Sequence, residues 1–208
     1  MTKKEPKEKR IEAIVSAAVD VFLEKGYENA SMDAIAGKTG LSKGGLYHHF
    51  TSKDEILLYA NQKLCEPIYS LMEQAVADPS PRQGVTDYIN TYIDYWHAHK
   101  REIIFTYLSM TKAMNNQELR CFYETYLEHY IDFFEGMFKK GIAAGEFVDH
   151  EPRPRSVILI AALDGLVGYM DLDKKLDVTQ LKKMLIETFV LPIEKPLSPS
   201  GVKGNLKP

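Results

Sequence analysis

Apolar residues recur every three or four positions along most of this chain, and alternation with a period of two is almost absent. That pattern predicts helix after helix, because a helix brings positions three and four apart onto one buried face. Ile11, Ile14, Val15, Ala18, Val21 and Phe22 make such a face over Lys9–Lys25, and Gly26 is placed to stop that helix. Ser31 is an N-cap for a short helix ending near Thr39, with Gly40 as its terminator. Ser42 caps a third helix running to about Phe50. Ser52 caps a fourth, whose first turn carries Asp54 and Glu55, where the helix dipole favours acids. The run Asp78-Pro79-Ser80-Pro81 is a break. Beyond it, helices are predicted over 83–99, 101–114, 117–144, 153–171 and 178–191, punctuated by Gly145 and Pro152-Arg153-Pro154. The result is an all-α chain of about nine helices with no internal repeat. Residues 192–208 hold four of the ten prolines and little apolar content, the composition of a disordered tail.

The segment Ser31 to Phe50 reads SMDAIAGKTGLSKGGLYHHF. Ala36, Gly40 and Leu46 stand at the spacing of a helix-turn-helix. Two helices crossing at about 90–120° need a small residue at the contact, which Ala36 supplies. The turn needs a residue at ease with positive φ, which Gly40 supplies. Ile35, Leu41 and Leu46 bury the inner faces, so the second helix is free to present its first residues to a DNA major groove.

Residues 8–68 resemble the TetR (tetracycline repressor) family. The resemblance runs from the first helix through Gly26-Tyr27 and the Ser31-capped helix to Ser42-Lys43-Gly44-Gly45-Leu46-Tyr47, His49-Phe50 and Ser52-Lys53. The stretch Leu-Tyr-x-His-Phe-x-Ser-Lys is highly specific to that family. Gly37 departs from a good helix sequence by about 1 kcal/mol relative to Ala. The resemblance implies a helix-turn-helix head over 8–68 (motif 31–50), a ligand-binding and dimerisation body over 69–191, and the tail 192–208. It also implies contacts to a double-stranded operator. Lys43 can reach a base edge or phosphate. Gly44 and Gly45 let the backbone approach DNA closely. Tyr47 can bond a phosphate and pack on sugar or a thymine methyl. His49 and Lys53 match phosphate-clamping positions, Ser31 opens a helix N-terminus toward another phosphate, and His48 is a further candidate. Lys3 to Arg10 is either a solubilising segment or an arm along the DNA.

Net charge is −3, which by itself does not announce a nucleic-acid binder. Its distribution does: residues 1–53 hold nine Lys/Arg against seven Asp/Glu, and residues 54–208 seventeen against twenty-two. The head can approach phosphate while the body repels it, and an acidic body favours cationic lipophilic ligands on charge alone. Cys65 and Cys121 form neither a metal spacing nor a disulfide framework, which suits a reducing cytoplasm. The basic start is not followed by an unbroken apolar stretch, so a signal peptide is not expected. The most apolar run, Val157 to Met170, spans 14 residues and contains Asp164, too short for a bilayer, which needs about 20.

The body is dense in aromatic and methionine side chains. Tyr88, Tyr92, Tyr95 and Trp96 share a side of the fifth helix. Phe105, Tyr107, Met110 and Met114 mark the sixth, and Phe122, Tyr123, Tyr126, Tyr130, Phe133, Phe134, Met137 and Phe138 stripe the seventh. Each alone reads as core, but a dry core has no use for so many hydroxyls. Aromatic walls, methionines and a few polar tips suit a ligand cavity, with Tyr92, Trp96, Phe105, Met110, Tyr123, Tyr126, Tyr130 and Asp164 as candidate contacts. Asp164 interrupts an otherwise apolar helix, so it lies either hydrogen-bonded at a subunit seam or at a pocket rim. Glu124, Glu128, Asp132 and Glu135 read as a solvated face. His97, His99 and His129 are too scattered for a metal site. Helix 153–171 is apolar all round, and the resemblance implies that it and helix 178–191 pair with their symmetry mates in a homodimer reading a palindrome.

These features predict a cytoplasmic ligand-released repressor with no cofactor and no membrane segment. A ligand-independent or architectural DNA-binding regulator is the alternative, and would have a filled core in place of a cavity. No nucleophile–base pair, metal spacing or phosphate loop supports an enzyme.

Overall fold

The computed structural model describes residues 6–173 and 175–195. The start of the Lys3 to Arg10 segment and the tail from residue 196 lie outside the described residues. Nine α-helices are present among the described residues, and the second to fifth begin at serines whose hydroxyls satisfy free backbone donors. α1 (Lys7–Lys25) ends at Gly26, where φ is 75°. α2 (Met32–Thr39) and α3 (Lys43–Tyr47) are capped by Ser31 and Ser42, whose Oγ atoms accept from Ala34 N at 3.2 Å and Gly45 N at 3.1 Å. Between them Gly40 sits in the left-handed region at φ 68° and ψ 17°, and its N–H reaches back to the carbonyls of Ala36 and Gly37. Ser52 caps α4 (Lys53–Ala77), accepting from Glu55 N at 3.1 Å, while the Glu55 carboxylate accepts from the Thr51 amide and hydroxyl. α3 stops three residues short of the expected Phe50, because Phe50 must turn inward and is almost wholly buried.

The remaining helices are α5 (Pro81–Ala98), α6 (Lys100–Ala113), α7 (Gln117–Ala143), α8 (Pro152–Leu172) and α9 (Val178–Phe189). They follow the predicted spans to within one or two residues. No helix among the described residues is long and apolar enough to cross a membrane.

Two apolar cores result. The head core gathers Ile14, Ala18 and Phe22 of α1, Ile35 of α2, Leu46 of α3 and Ile56 and Leu57 of α4. The body core gathers Ile68 and Met72 of α4, Tyr88 and Ile89 of α5, Phe134 and Phe138 of α7 and Leu163 of α8. α4 therefore runs unbroken from one core into the other. Pro67 lies at the crossing and removes one backbone donor from the helix there. Phe105 and Ala113 of α6 and Leu119 of α7 pack into the head core.

Three expectations change. Phe105 does not line the body cavity: it is 2 % exposed and packs against the head, because α6 lies between head and body and this side chain falls on the head side. The ordered chain extends past Pro192. Leu191–Ile193 form a 3-10 turn, Ile193 is buried, and Val148 N donates to Ile193 O at 2.8 Å, so an apolar anchor holds these residues despite the prolines. The acidic face of α7 is not simply solvated, since Arg153 stands across Glu128, Asp132 and Glu135 at 2.8, 3.5 and 3.3 Å.

Candidate nucleic-acid interface and effector cavity

α3 stands on α2 through Leu46, which is fully buried, and that contact turns the opposite side of α3 outward. Ser42, Lys43, Gly44, Tyr47 and His48 are exposed, and Ser31 is exposed at the start of α2. Tyr47 keeps 44 % of its surface open, although a core built from Leu46 and Phe50 lies beside it. Lys43 Nζ pairs with Asp33 at 2.9 Å, and this carboxylate holds the lysine's pKa above its usual value. Both side chains are largely exposed, so the pair is weak and the ammonium is available to a second anion. A Cβ on Gly44 would meet nothing within 4 Å, whereas one on Gly45 would press on Ser42 Oγ at 3.3 Å. Gly45 thus makes room for the cap. Gly44 answers no steric need inside the chain.

His49 and Lys53 sit differently. His49 is half-buried, its Nδ1 is enclosed without a hydrogen-bond partner, and burial lowers its pKa, with the nearby charges of His48, Lys7 and Arg10 adding to the effect. Lys53 Nζ donates to three backbone carbonyls of the α1–α2 turn, those of Tyr27 at 2.8 Å, Glu28 at 3.3 Å and Ala30 at 3.1 Å. It also lies 4.4 Å from the Tyr27 ring centroid. The expected phosphate clamp is therefore directed inward in this structure, where it ties α4 to the turn. Tyr27 Oη donates to Asp54 Oδ1 at 2.6 Å, and Asn116 Nδ2 donates to the same oxygen at 2.9 Å. Head and α7 are joined through that carboxylate.

The body contains a cavity of about 420 Å³, lined by residues from α4, α5, α6, α7 and α8. Seven of the eight residues expected at a ligand site line it: Tyr92, Trp96, Met110, Tyr123, Tyr126, Tyr130 and Asp164. Phe105 does not. Asn61, Cys65, Ile68, Thr106 and Tyr107 line it as well and were not expected. The α4 residues among them read as ordinary core. Met110, Tyr107 and Leu127 are about half exposed and mark the opening. Gly168 of α8 makes room for Tyr107, since a Cβ there would fall 2.2 Å from Tyr107 Oη.

Two polar clusters break the apolar wall. Tyr92 Oη donates to Asp164 Oδ1 at 2.7 Å, and the surrounding protein raises the Asp164 carboxyl above the usual carboxylate range. Asp164 nevertheless keeps accessible surface, because it faces the cavity. The second cluster centres on Asn61, which is buried. Its Nδ2 donates to Leu57 O at 2.8 Å and to Ser109 Oγ at 3.1 Å, and its Oδ1 accepts from Tyr123 Oη at 2.7 Å. One side chain thus links α4, α6 and α7 at the cavity wall. Burial pushes the Cys65 thiol up to about 12, so it stays protonated.

α6 presents one side to the cavity with Ile103, Thr106, Tyr107 and Met110. Its other side grips the head: Phe105 and Ala113 enter the head core, Arg101 bonds Asp20 and the Ser16 carbonyl of α1, and Lys112 pairs with Glu28 at 2.7 Å.

Comparison with known proteins agrees with this architecture. Residues 14–60 match the family of bacterial regulatory proteins, tetR family, and residues 103–195 match the QacR-like protein C-terminal region. The uncharacterized HTH-type transcriptional regulator YfiR of Bacillus subtilis is 27 % identical over 92 % of this chain and 97 % of its own. The transcriptional regulator FadR from Bacillus subtilis, solved in complex with stearoyl-CoA, is 24 % identical, with a TM-score of 0.73 over 88 % of this chain and 99 % of its own. A regulator from Saccharomonospora viridis solved in complex with choline is 18 % identical, with a TM-score of 0.75 over 91 % of this chain and 100 % of its own. The chain belongs to the TetR family. It is a DNA-binding transcriptional regulator and not an enzyme.

Proposed function

We propose that this regulator is a homodimeric repressor that holds a palindromic operator and is released when a lipophilic small molecule occupies the body cavity. The observation that carries the reading is the two-sided packing of α6, which lines the cavity with Tyr107 and Met110 and holds the head through Phe105 and Arg101. A ligand that shifts α6, or the cavity-lining part of α4 at Asn61, moves the head with it. Binding to DNA and binding to the effector then oppose one another through two arrangements of the same helices.

Lys43, Gly44, Tyr47 and His48 are the proposed contacts to the major groove, with Ser31 and the start of α2 on a neighbouring phosphate. His49 and Lys53 are proposed to support that surface from behind. Head and body are proposed to divide near residue 68, inside α4. The dimer is supported by exposed apolar side chains on the last two long helices: Ile158, Tyr169 and Leu172 of α8 and Met184 of α9 are each at least half exposed. A homodimer places two short recognition helices on successive major grooves, as a palindrome requires. The presence of a cavity speaks for an effector and against a ligand-independent regulator with a filled core.

Fluorescence anisotropy of the full chain on DNA from upstream of its own gene tests the reading. Binding is expected to fall steeply with salt, by about three to five decades between 50 and 200 mM for a dimer making roughly 8 phosphate contacts. One class of lipophilic compound should reverse it. Tight, salt-sensitive binding that no cavity ligand disturbs would refute effector release and leave a ligand-independent regulator.

A further inference from the structure

Solved relatives are complexed with stearoyl-CoA in one case and choline in another, so the fold accepts ligands of opposite charge and the cavity's own chemistry must decide. We infer that the effector is a lipophilic amine bound in its ammonium form, with Asp164 as its counter-ion. This rests on the reading of the body cavity as the effector site.

Four observations lead there. Among the described residues that line the cavity, Asp164 carries the only formal charge, and no Lys, Arg or His is found there. One of its oxygens accepts from Tyr92, and among the described residues Asp164 has no other hydrogen bond and no ion pair. Asp164 is an exposed residue that lines the cavity, with one carboxylate oxygen taken by Tyr92, so its remaining acceptor capacity is open to an entering cation. Tyr92, Tyr107, Tyr126 and Tyr130 line the same cavity, and aromatic rings are favourable neighbours for a bound cation.

A fatty acid or acyl-CoA meets the reverse situation. A carboxylate would face Asp164 with no cation to offset it. The phosphates of a CoA would find no basic side chain along the lining. Phosphate recognition calls for Arg, Lys or a helix N-terminus, and these lining residues offer no such charged group.

Trp96 makes the test direct, because it is the chain's only tryptophan and it lines the cavity. The intrinsic fluorescence of the full chain is titrated with phenylbutylamine, phenylbutanol, phenylbutyric acid and lauroyl-CoA, followed by anisotropy on operator DNA with the same compounds. The amine is expected to bind on the order of ten-fold more tightly than the alcohol, because its ammonium adds an ion pair with Asp164 where the alcohol offers only a hydrogen bond. The acid and the acyl-CoA are expected to be weaker still. Asp164→Asn should weaken the amine on the order of ten-fold more than it weakens the alcohol, and an equal loss for both would overturn the inference. Equal affinity of acid and amine, stronger binding of the acyl-CoA, or undiminished amine binding by Asp164→Asn would overturn the inference. Amine binding that fails to release DNA would sustain the site and remove the release mechanism. Release by the acid or acyl-CoA would do the opposite.

Discussion

Asn61→Leu removes the amide that links α4, α6 and α7 while keeping nearly its shape, and the three lost hydrogen bonds are unequal. Leu57 O retains its helical partner, so losing the 2.8 Å side-chain bond costs little. Tyr123 Oη borders the cavity and can turn to water there. Ser109 is fully buried and loses the Asn61 amide that donates to it, which costs about 1–3 kcal/mol. Leucine returns part of this by burying apolar surface, which leaves a net loss of about 1 kcal/mol. For a chain of this size that is about 2–4 °C in Tm, measured at one fixed protomer concentration because the Tm of the proposed dimer would depend on it. Urea unfolding of wild type, Asn61→Leu, Tyr123→Phe and the double variant completes the cycle. Tyr123→Phe should cost about 1 kcal/mol alone and almost nothing beside Asn61→Leu, giving an interaction energy of about 0.5–1.5 kcal/mol. Strictly additive losses would mean that the 2.7 Å Tyr123–Asn61 bond contributes nothing, and would refute the three-helix link.

Gly44→Ala should leave thermal stability unchanged or raise it by up to about 1 kcal/mol, since the new methyl meets open space, while weakening operator binding. An unaffected operator affinity would move Gly44 away from the DNA. Tyr47→Ala is expected to cost about 1–3 kcal/mol in operator affinity without a loss of Tm, and unchanged affinity by anisotropy would remove it from the interface. Lys53→Met keeps the aliphatic stem but surrenders three carbonyl partners. It should therefore lower Tm measurably, where a lysine serving only as a phosphate clamp would lower affinity alone.

The helical plan was legible because its stops are chemical: Ser31, Ser42 and Ser52 start helices, and Gly26 and Gly40 end them. Tyrosines pointed to the cavity, where Tyr92, Tyr123, Tyr126 and Tyr130 lie, but Tyr88 is buried in the core with its hydroxyl donating to Tyr130. Periodicity could not say which neighbour each side of α6 would meet, so Phe105 was assigned to the cavity although it faces the head. Asn61 and Cys65 went unnoticed because the part of α4 that borders the cavity looks like any buried stripe. Arg153 reaches carboxylates 18 to 25 residues earlier in the chain, and local pattern carries no record of such a meeting. The same is true of Lys53, whose three acceptors lie on the far side of the helix-turn-helix.

The continuity of α4 fixes a scale for the motion that regulation needs. Ile68 borders the cavity and Lys53 begins the helix beneath the recognition surface, a lever arm of about 22 Å at 1.5 Å per residue. A tilt of about 10° pivoting at Ile68 would carry the head end by about 4 Å, slightly more than the 3.4 Å between successive base pairs. In a two-fold dimer both arms swing, so the separation of the two heads changes by up to twice that amount. On the proposed release by an effector, a tilt of that size would put both recognition helices out of step with the grooves.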